Sequence, residues 1–232
     1  MSRAHTVYAA AGLMLLCCLA VSGGAARADE AHCPGTSVSV HSLDKEDLET
    51  GCKAAADAVA FLATFGVRTT SPVEIRFLDK LPDGVANPSA VGCSVNAQRR
   101  VYVLTFAKGR KLELVPDLPI DKDLHRSFVA HEVAHQIAAA NFDVRKPSIV
   151  AQEYIAYVTM FATMVPGQRD HILARFPGDD WDTERGFNLT LYMLAPHFFG
   201  AQAYRHFMRL EDRQAFLERV LSGNTLMDEQ PP

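Results

Sequence analysis

The chain has 232 residues, and its 27 acidic residues outnumber its 23 lysines and arginines, giving a formal net charge of -4 at pH 7. A mildly acidic chain of this length, without a basic run, suits one domain and lacks the electrostatic footprint of a nucleic-acid-binding protein. It also shows no Gly-x-Ser-x-Gly elbow and no phosphate-binding glycine-rich loop, which argues against common serine hydrolases and nucleotide-binding proteins.

Residues 1–28 have the features of a secretory signal peptide. An arginine near the start precedes an apolar stretch over residues 7–21, and residues 26–28 form an Ala-x-Ala cleavage signal. The sequence therefore predicts cleavage before Asp29, a mature single domain over residues 29–232, and a periplasmic or extracellular location. An uncleaved membrane anchor is the alternative. The apolar run is shorter than the roughly 20 residues of a bilayer span, so we expect no stable membrane insertion after cleavage.

The mature chain begins with alternating strand and helix patterns and ends with helical ones. Period-2 alternation indicates strands, 3.6-residue spacing indicates helices, and Pro-Gly clusters indicate loops. The predicted elements, in chain order, are a strand (36–41), a helix (43–65), a strand (73–78), a loop (81–97), a strand (100–106) and a linker (107–119). Two helices follow (124–141 and 148–164), and the chain then stays helical with breaks near 166–167, 177–178, 196 and 223.

The helix over residues 124–141 carries an H-E-x-x-H motif. His131 and His135, four residues apart, share one helix face, so both imidazoles reach one metal ion. Glu132 between them is placed to act on a water molecule at that ion. The helix is apolar nearly all round and therefore buried, where three polar side chains are costly unless something satisfies them. A zinc ion does so; the alternatives are a chance motif or a core His–Glu hydrogen-bond network.

The helix over residues 148–164 is predicted to supply a third ligand. Glu153 is its only charged residue, and a carboxylate in a buried helix needs a cation or a raised pKa. It follows His135 at a distance that allows a loop and an antiparallel return. Two His and one Glu form a ligand set of catalytic zinc sites, which keep the fourth position open. A salt bridge from Glu153 to Arg126 or Arg145 is the alternative.

The motif His131-Glu132-x-x-His135 followed by Glu153-Tyr154-Ile155-Ala156 resembles the gluzincins, the peptidase MA-like zinc metalloproteases. The resemblance covers roughly residues 101–226. It implies an α+β, zincin-like fold, in which a small N-terminal sheet with its helices packs against a mainly helical C-terminal part, with Zn²⁺ between them. It also implies a peptidase acting on a peptide or protein substrate, with Glu132 as general base. A zinc-containing binding or assembly module of the same fold, without activity, is the alternative.

The resemblance implies roles for two further segments. In zincins the strand before the active helix lies at the rim of the cleft, so residues 100–106 are expected to hold an extended peptide by strand addition. An ordinary core or edge strand is the alternative. His197, three residues before Gly200-Ala201, stands where some related peptidases carry a Tyr that stabilises the oxyanion, and is expected to fill that role. The rivals for it are Tyr192, Tyr204, His171 and His206.

Three cysteines remain after signal cleavage, and two of them are expected to pair in an oxidising compartment. If strand and helix run straight from a turn near Ser42, Cys33 and Cys52 end at different heights, because a strand advances about 3.3 Å per residue and a helix about 1.5 Å. The sequence therefore predicts that Cys93 is one partner in the disulfide.

Overall fold

The computed structural model describes residues 28–84, 90–114, 118–178 and 184–228, so that most of the predicted signal peptide lies outside the described residues. The strands within these ranges are β1 (Asp29–His32), β2 (Val38–Ser42), β3 (Val73–Leu78), β4 (Gly92–Val95) and β5 (Arg100–Leu104). The α-helices are α1 (Lys45–Ala63), α2 (Phe106–Gly109), α3 (Lys122–Ala139), α4 (Ile149–Thr163), α5 (Pro166–Arg175), α6 (Leu189–Leu194), α7 (Pro196–Arg209) and α8 (Arg213–Leu221).

The strands form one mixed sheet in the order β1-β2-β3-β5-β4. β2, β3 and β5 are parallel, whereas the outer strands β1 and β4 are antiparallel to their neighbours. Val40, Ile75 and Val101 are paired in register and fully buried, so this face forms part of the core. On the opposite face the paired residues Glu74 and Arg100 form a salt bridge. The sheet therefore buries one face only.

α1 and α3 cover the apolar face of the sheet. Asp44 caps α1 and Asp121 caps α3, each side chain accepting a backbone N–H of the first turn. Arg126 ties the two helices together through an ion pair of 2.9 Å with Asp57. Because Arg126 is engaged there, the suggestion that it pairs with Glu153 is wrong.

The rest of the described chain is helical, as the sequence predicts. α4 packs on α3 and on α7. α5 begins at Pro166 and α7 at Pro196, both at predicted breaks, because proline fits the first turn of a helix and ends the preceding segment. The α+β class with a small N-terminal sheet is therefore confirmed. Among the described residues, no helix is both long and apolar enough to cross a membrane.

The edge of the sheet differs from the sequence prediction. β4 lies inside residues 81–97, which were predicted to be a loop, because the prolines and glycines of that segment hide a four-residue strand. β5 matches the predicted strand over 100–106, but it lies between β3 and β4 and is paired on both sides. The expectation that residues 100–106 bind a peptide by strand addition was therefore wrong. The strand at this edge is β4.

The disulfide prediction was also wrong, because Cys33 pairs with Cys52, at a Cα–Cα distance of 4.9 Å, and Cys93 is free. The chain between Cys33 and Val38 is a tight turn, with Cys33 N–H bonded to the Val38 carbonyl, rather than a continuation of β2. Val38 stands about 13 Å along the strand from Ser42. Cys52 stands about 12 Å along α1 from its cap. The two cysteines therefore lie at equal heights.

Candidate metal centre

His131, His135 and Glu153 meet at the contact between α3 and α4. The two imidazole Nε2 atoms are 3.2 Å apart, and each is 3.5 Å from a different carboxylate oxygen of Glu153. The histidine side chains are each 11% exposed and that of Glu153 is 13% exposed. All three residues that the sequence predicts as metal ligands thus lie together, nearly buried, with one donor atom from each within 4.8 Å of the others.

The spacing of these donor groups is compatible with a metal ion between them. Three donors that bind one zinc ion tetrahedrally, at about 2.0–2.1 Å, lie about 3.3 Å from one another. The imidazole nitrogens, 3.2 Å apart, fit this spacing. Each lies 3.5 Å from a different oxygen of Glu153, and one donor atom from each residue lies within 4.8 Å of the other two. A separation of 3.5 Å is long for an N–H···O hydrogen bond. In addition, Glu153 Oε2 is buried without a hydrogen-bond partner, and a bound cation would satisfy it.

The protonation states of the three side chains follow from their burial and contact. Burial opposes ionisation of Glu153, but the neighbouring His135 and His131 outweigh it and lower the pKa of Glu153 to about 2. Burial lowers the pKa of His135 to about 4. Burial also acts to lower the pKa of His131, but the carboxylate of Glu153 outweighs it and the pKa is raised. An ionised carboxylate and neutral imidazoles are the forms that bind metal, so a proton on His131 competes with it.

Glu132 extends from α3 towards the edge strand β4. A Cβ on Gly92 would lie 2.9 Å from Cγ of Glu132 and 3.0 Å from the carbonyl oxygen of Tyr102, so a side chain at position 92 would displace Glu132. Burial raises the pKa of Glu132 to about 7, with His131 opposing the shift and Glu153 adding to it. A carboxyl group of this kind can accept and return a proton near neutral pH.

Gln136 fastens α3 to the edge of the sheet. Its Nε2 donates to Ser94 Oγ at 2.6 Å, to Asn96 Oδ1 at 3.1 Å and to the carbonyl of Arg100 at 3.3 Å. Gln136 directly follows His135 and is buried, so these bonds fix the metal-binding face of α3 relative to β4.

A cleft of about 550 Å³ leads to the triad and to Glu132. β4 with its flanking residues forms one wall, and residues of α4, α6 and α7 form the other. The three side chains are therefore nearly buried within the protein, but a molecule bound in the cleft can reach them.

Tyr157 lies in the cleft wall and was not selected by the sequence analysis. It stands one turn beyond Glu153 on α4, a four-residue spacing that would have identified it as a neighbour of the site. The centroid of its ring is 4.6 Å from that of His131, in an edge-on contact. Gly200 of α7 approaches this ring so closely that a Cβ would lie 2.3 Å from Cδ1 of Tyr157. Gly200 therefore lets α7 support the ring that packs on His131.

Two of the proposed oxyanion donors line the cleft. Tyr192 on α6 lines the cleft, where burial and the nearby carboxylate of Glu153 raise the pKa of its hydroxyl. His197 on α7 lines the cleft as well, and burial lowers its pKa. The other rivals are occupied or distant: Tyr204 stacks on Phe161, His206 Nδ1 accepts from the Tyr154 hydroxyl at 2.6 Å, and His171 is exposed.

Comparison with curated proteins and with solved structures gives no match to the chain. One protein family does match, over residues 38–230, which covers the chain from β2 past α8 and includes the His131–His135–Glu153 triad. The chain therefore belongs to the family described as Family of unknown function (DUF6639).

Proposed function

We propose that this protein is a secreted or periplasmic zinc-dependent metallohydrolase that cleaves peptide bonds, with a zincin-like arrangement of sheet, active helix and helical part. The observation that carries the proposal is the triad of His131, His135 and Glu153, whose donor separations suit one zinc ion at the floor of an open cleft. These three residues would hold the ion and leave a fourth position for water and substrate.

Glu132 supplies the acid–base chemistry. A zinc ion bound by the triad lowers the pKa of water and polarises the scissile carbonyl. Glu132 takes a proton from the attacking water as the new C–O bond forms, and delivers it to the amine nitrogen as the C–N bond breaks. Gly92 leaves the space in which this carboxyl group faces the cleft.

Two side chains are candidates for stabilising the carbonyl oxygen as it gains negative charge. His197 lines the cleft, as its predicted role requires. Tyr192 is a second candidate, because it lines the same cleft and carries a hydroxyl group. A hydrogen-bond donor directed at this oxygen stabilises the transition state more than the substrate.

The edge strand supports a peptide as substrate. β4 is the last strand of the sheet, so its outer backbone groups have no strand partner among the residues described. Its residues Gly92, Cys93 and Ser94 line the cleft beside the triad. An extended peptide that adds to this edge would pass its backbone across the proposed metal position.

Two observations support the proposed location. Residues 1–28 read as a cleavable signal peptide. The Cys33–Cys52 disulfide fits an oxidising compartment such as the periplasm or the extracellular space.

The rival proposal is a zinc-containing binding or assembly module without activity. The open cleft at the triad and the carboxyl group of Glu132 favour the enzyme, because a purely structural zinc site requires neither. The test measures the zinc content of the mature protein and the cleavage of a peptide library, with and without chelator. We expect about one zinc per chain and cleavage that the chelator abolishes.

The decisive variant is Glu132→Gln, which removes the base and leaves the ligands. We expect it to keep its zinc and to lose about 100- to 10,000-fold in turnover. Glu218→Gln on α8, an exposed site, is the matched control and should behave as wild type. If wild type and Glu132→Gln are equally inert with zinc bound, the binding module replaces the enzyme. If no zinc binds, His131, Glu132 and the neighbouring polar side chains form a hydrogen-bond network in the core, and both the enzyme and the zinc-containing binding module are excluded.

A further inference from the structure

A second cavity, of about 320 Å³, lies beside the cleft. Asn96 lines both spaces, so the two adjoin at this residue. Ala139 of α3 also lines the second cavity and follows His135 by one helical turn, which places the cavity about 6 Å further along α3. We call it the Arg99 cavity, and its walls are residues 69–73, Asn96, Arg99, Gln136, Ala139 and Ala140.

The charge in this cavity is positive and unopposed. Arg99 is the charged side chain among the described residues that line it, and no carboxylate accompanies it. The next residue, Arg100, is held by Glu74 at 2.6 Å, whereas Arg99 has no ion pair within the described part of the chain. Arg99 also has a φ of 52°, a left-handed conformation that is strained for a side chain of this type.

Hydroxyl groups supplement the guanidinium. Thr69, Thr70 and Ser71 line the cavity, and Thr69 Oγ1 is buried without a hydrogen-bond partner. The C-terminal end of α3 opposes an anion, because helix carbonyls carry partial negative charge. That effect is reduced here, since the carbonyls of Ile137 and Ala138 are engaged by the N–H groups of the three residues after the helix.

We propose that the Arg99 cavity binds a carboxylate of the substrate, about two residues from the bond that is cleaved. The inference rests on the proposed function, because it takes the cleft at the triad as the site of cleavage. An extended peptide along β4 advances about 3.3 Å per residue, so two residues cover the distance from His135 to Ala139. The carboxylate is that of a Glu or Asp side chain, or the free end of the peptide.

The test measures binding separately from hydrolysis. Zinc-loaded Glu132→Gln protein is titrated with hexapeptides that differ only by Glu or Gln at one position and carry an amidated C-terminus. A second set has no acidic side chain and compares a free with an amidated C-terminus. We expect one set to show a preference of about 10-fold for the carboxylate. Preference in the first set identifies a side chain as the source, and preference in the second identifies the chain end.

Two further variants on the same background assign the preference to the cavity. Arg99→Gln should abolish it, whereas Arg68→Gln, an exposed arginine outside the cavity wall, should leave it intact. Equal binding of acid and amide peptides, no binding of either set, or a preference that survives Arg99→Gln would overturn the inference. A failure of the proposed function gives a different result. Wild-type protein would then cleave none of the peptides, even if the Glu132→Gln protein still binds the carboxylate peptides more tightly.

Discussion

The sheet part of the molecule, β1 to β5 with α1, adds a disulfide and a buried carboxyl group to an aliphatic core, whereas the core of the helical part, α4 to α8, contains a set of packed aromatic rings. In the sheet part the Cys33–Cys52 disulfide joins the turn after β1 to α1, and buried Asp47 of α1 accepts the backbone N–H of Phe106 at 3.2 Å. In the helical part a continuous set of rings meets at centroid distances of 5.2 to 6.1 Å, and it includes Tyr154, Tyr157, Phe187, Phe199 and Phe216.

The candidate site draws on both parts unequally. α3 carries His131, Glu132 and His135 and is fastened to the sheet by Gln136. The helical part supplies Glu153 and the cleft side chains of α4, α6 and α7. This division indicates that changes in the helical part alter metal binding and turnover, while changes in the sheet part away from α3 alter stability and leave the chemistry intact.

The largest expected effect is the loss of the ligand from the helical part. Glu153→Ala removes one of three zinc donors, so we expect the purified protein to lose most of its metal while remaining folded. Gln152→Ala, at the adjacent position on α4, is the matched control and should retain about one zinc per chain. Metal analysis and circular dichroism of both variants make the comparison. Full zinc content in Glu153→Ala would show that the helical part does not complete the site.

The next effect concerns turnover alone. Removing a donor to the developing oxyanion costs about 2.7–4 kcal/mol, so the responsible variant should turn over about 100- to 1000-fold more slowly with its zinc unchanged. Tyr192→Phe and His197→Ala are measured side by side on the best library peptide. If neither variant slows turnover by more than a few-fold, the helical part contributes a ligand but no transition-state donor.

Residue periodicity was sufficient to predict most of the fold. β3 was predicted at its exact bounds, and α3 and α4 were predicted to within two residues, because long apolar stretches with polar boundaries leave few alternatives. β1 and β4 were missed because each has only four residues, too few for an alternation to stand out. The disulfide was misassigned for a different reason, since the turn signal Pro34-Gly35 after Cys33 was overlooked and the chain from Cys33 to Ser42 was counted as extended strand.

The residues of the candidate site also fall into those that the sequence predicts and those that only the structure reveals. His131, Glu132 and His135 follow from a local motif, and Glu153 from an isolated charge in an apolar helix, so sequence alone nominated all four. Gly92 and Gln136 act through contacts between segments that are distant in the chain, which one sequence does not reveal. The sequence therefore predicts the residues with a local pattern and misses those whose role depends on contacts between distant segments.

The disulfide tests the sheet part. It closes a loop with a sequence separation of 19, for which removal should lower the free energy of unfolding by about 3 kcal/mol. We compare the double variant Cys33→Ser, Cys52→Ser with Cys93→Ser, which removes the free thiol only. Urea unfolding should show the loss in the double variant, and zinc content should remain at the wild-type level. Loss of zinc in the folded double variant would mean that the two parts are more tightly coupled than proposed.

Close packing tests the helical part. In Gly200→Ala the new methyl group would meet the ring of Tyr157 at 2.3 Å, and overpacking of this kind costs about 1–3 kcal/mol. Because the same ring packs on His131, zinc affinity should fall together with stability. Gly167→Ala on α5 is the control, since its methyl group would meet nothing within 4 Å. Reduced stability with unchanged zinc affinity would separate Tyr157 from the metal centre.

The smallest effect is a pH dependence in the sheet part. Burial raises the pKa of Asp47 from 3.8 to about 6, with hydrogen bonds from Phe106 N–H and Ser42 opposing the shift. A carboxyl group whose pKa is higher in the folded than in the unfolded state stabilises the protein below its unfolded pKa. That stability is lost as the pH rises from about 4 through about 6.

In Asp47→Asn this loss is absent, so between pH 5 and pH 7 the free energy of unfolding of the variant should rise by about 1 kcal/mol relative to that of wild type. Urea unfolding at both pH values, with chelator present to exclude metal binding, measures the difference. A constant difference between the two proteins would mean that Asp47 stays ionised throughout and that its bonds to Phe106 and Ser42 outweigh its burial.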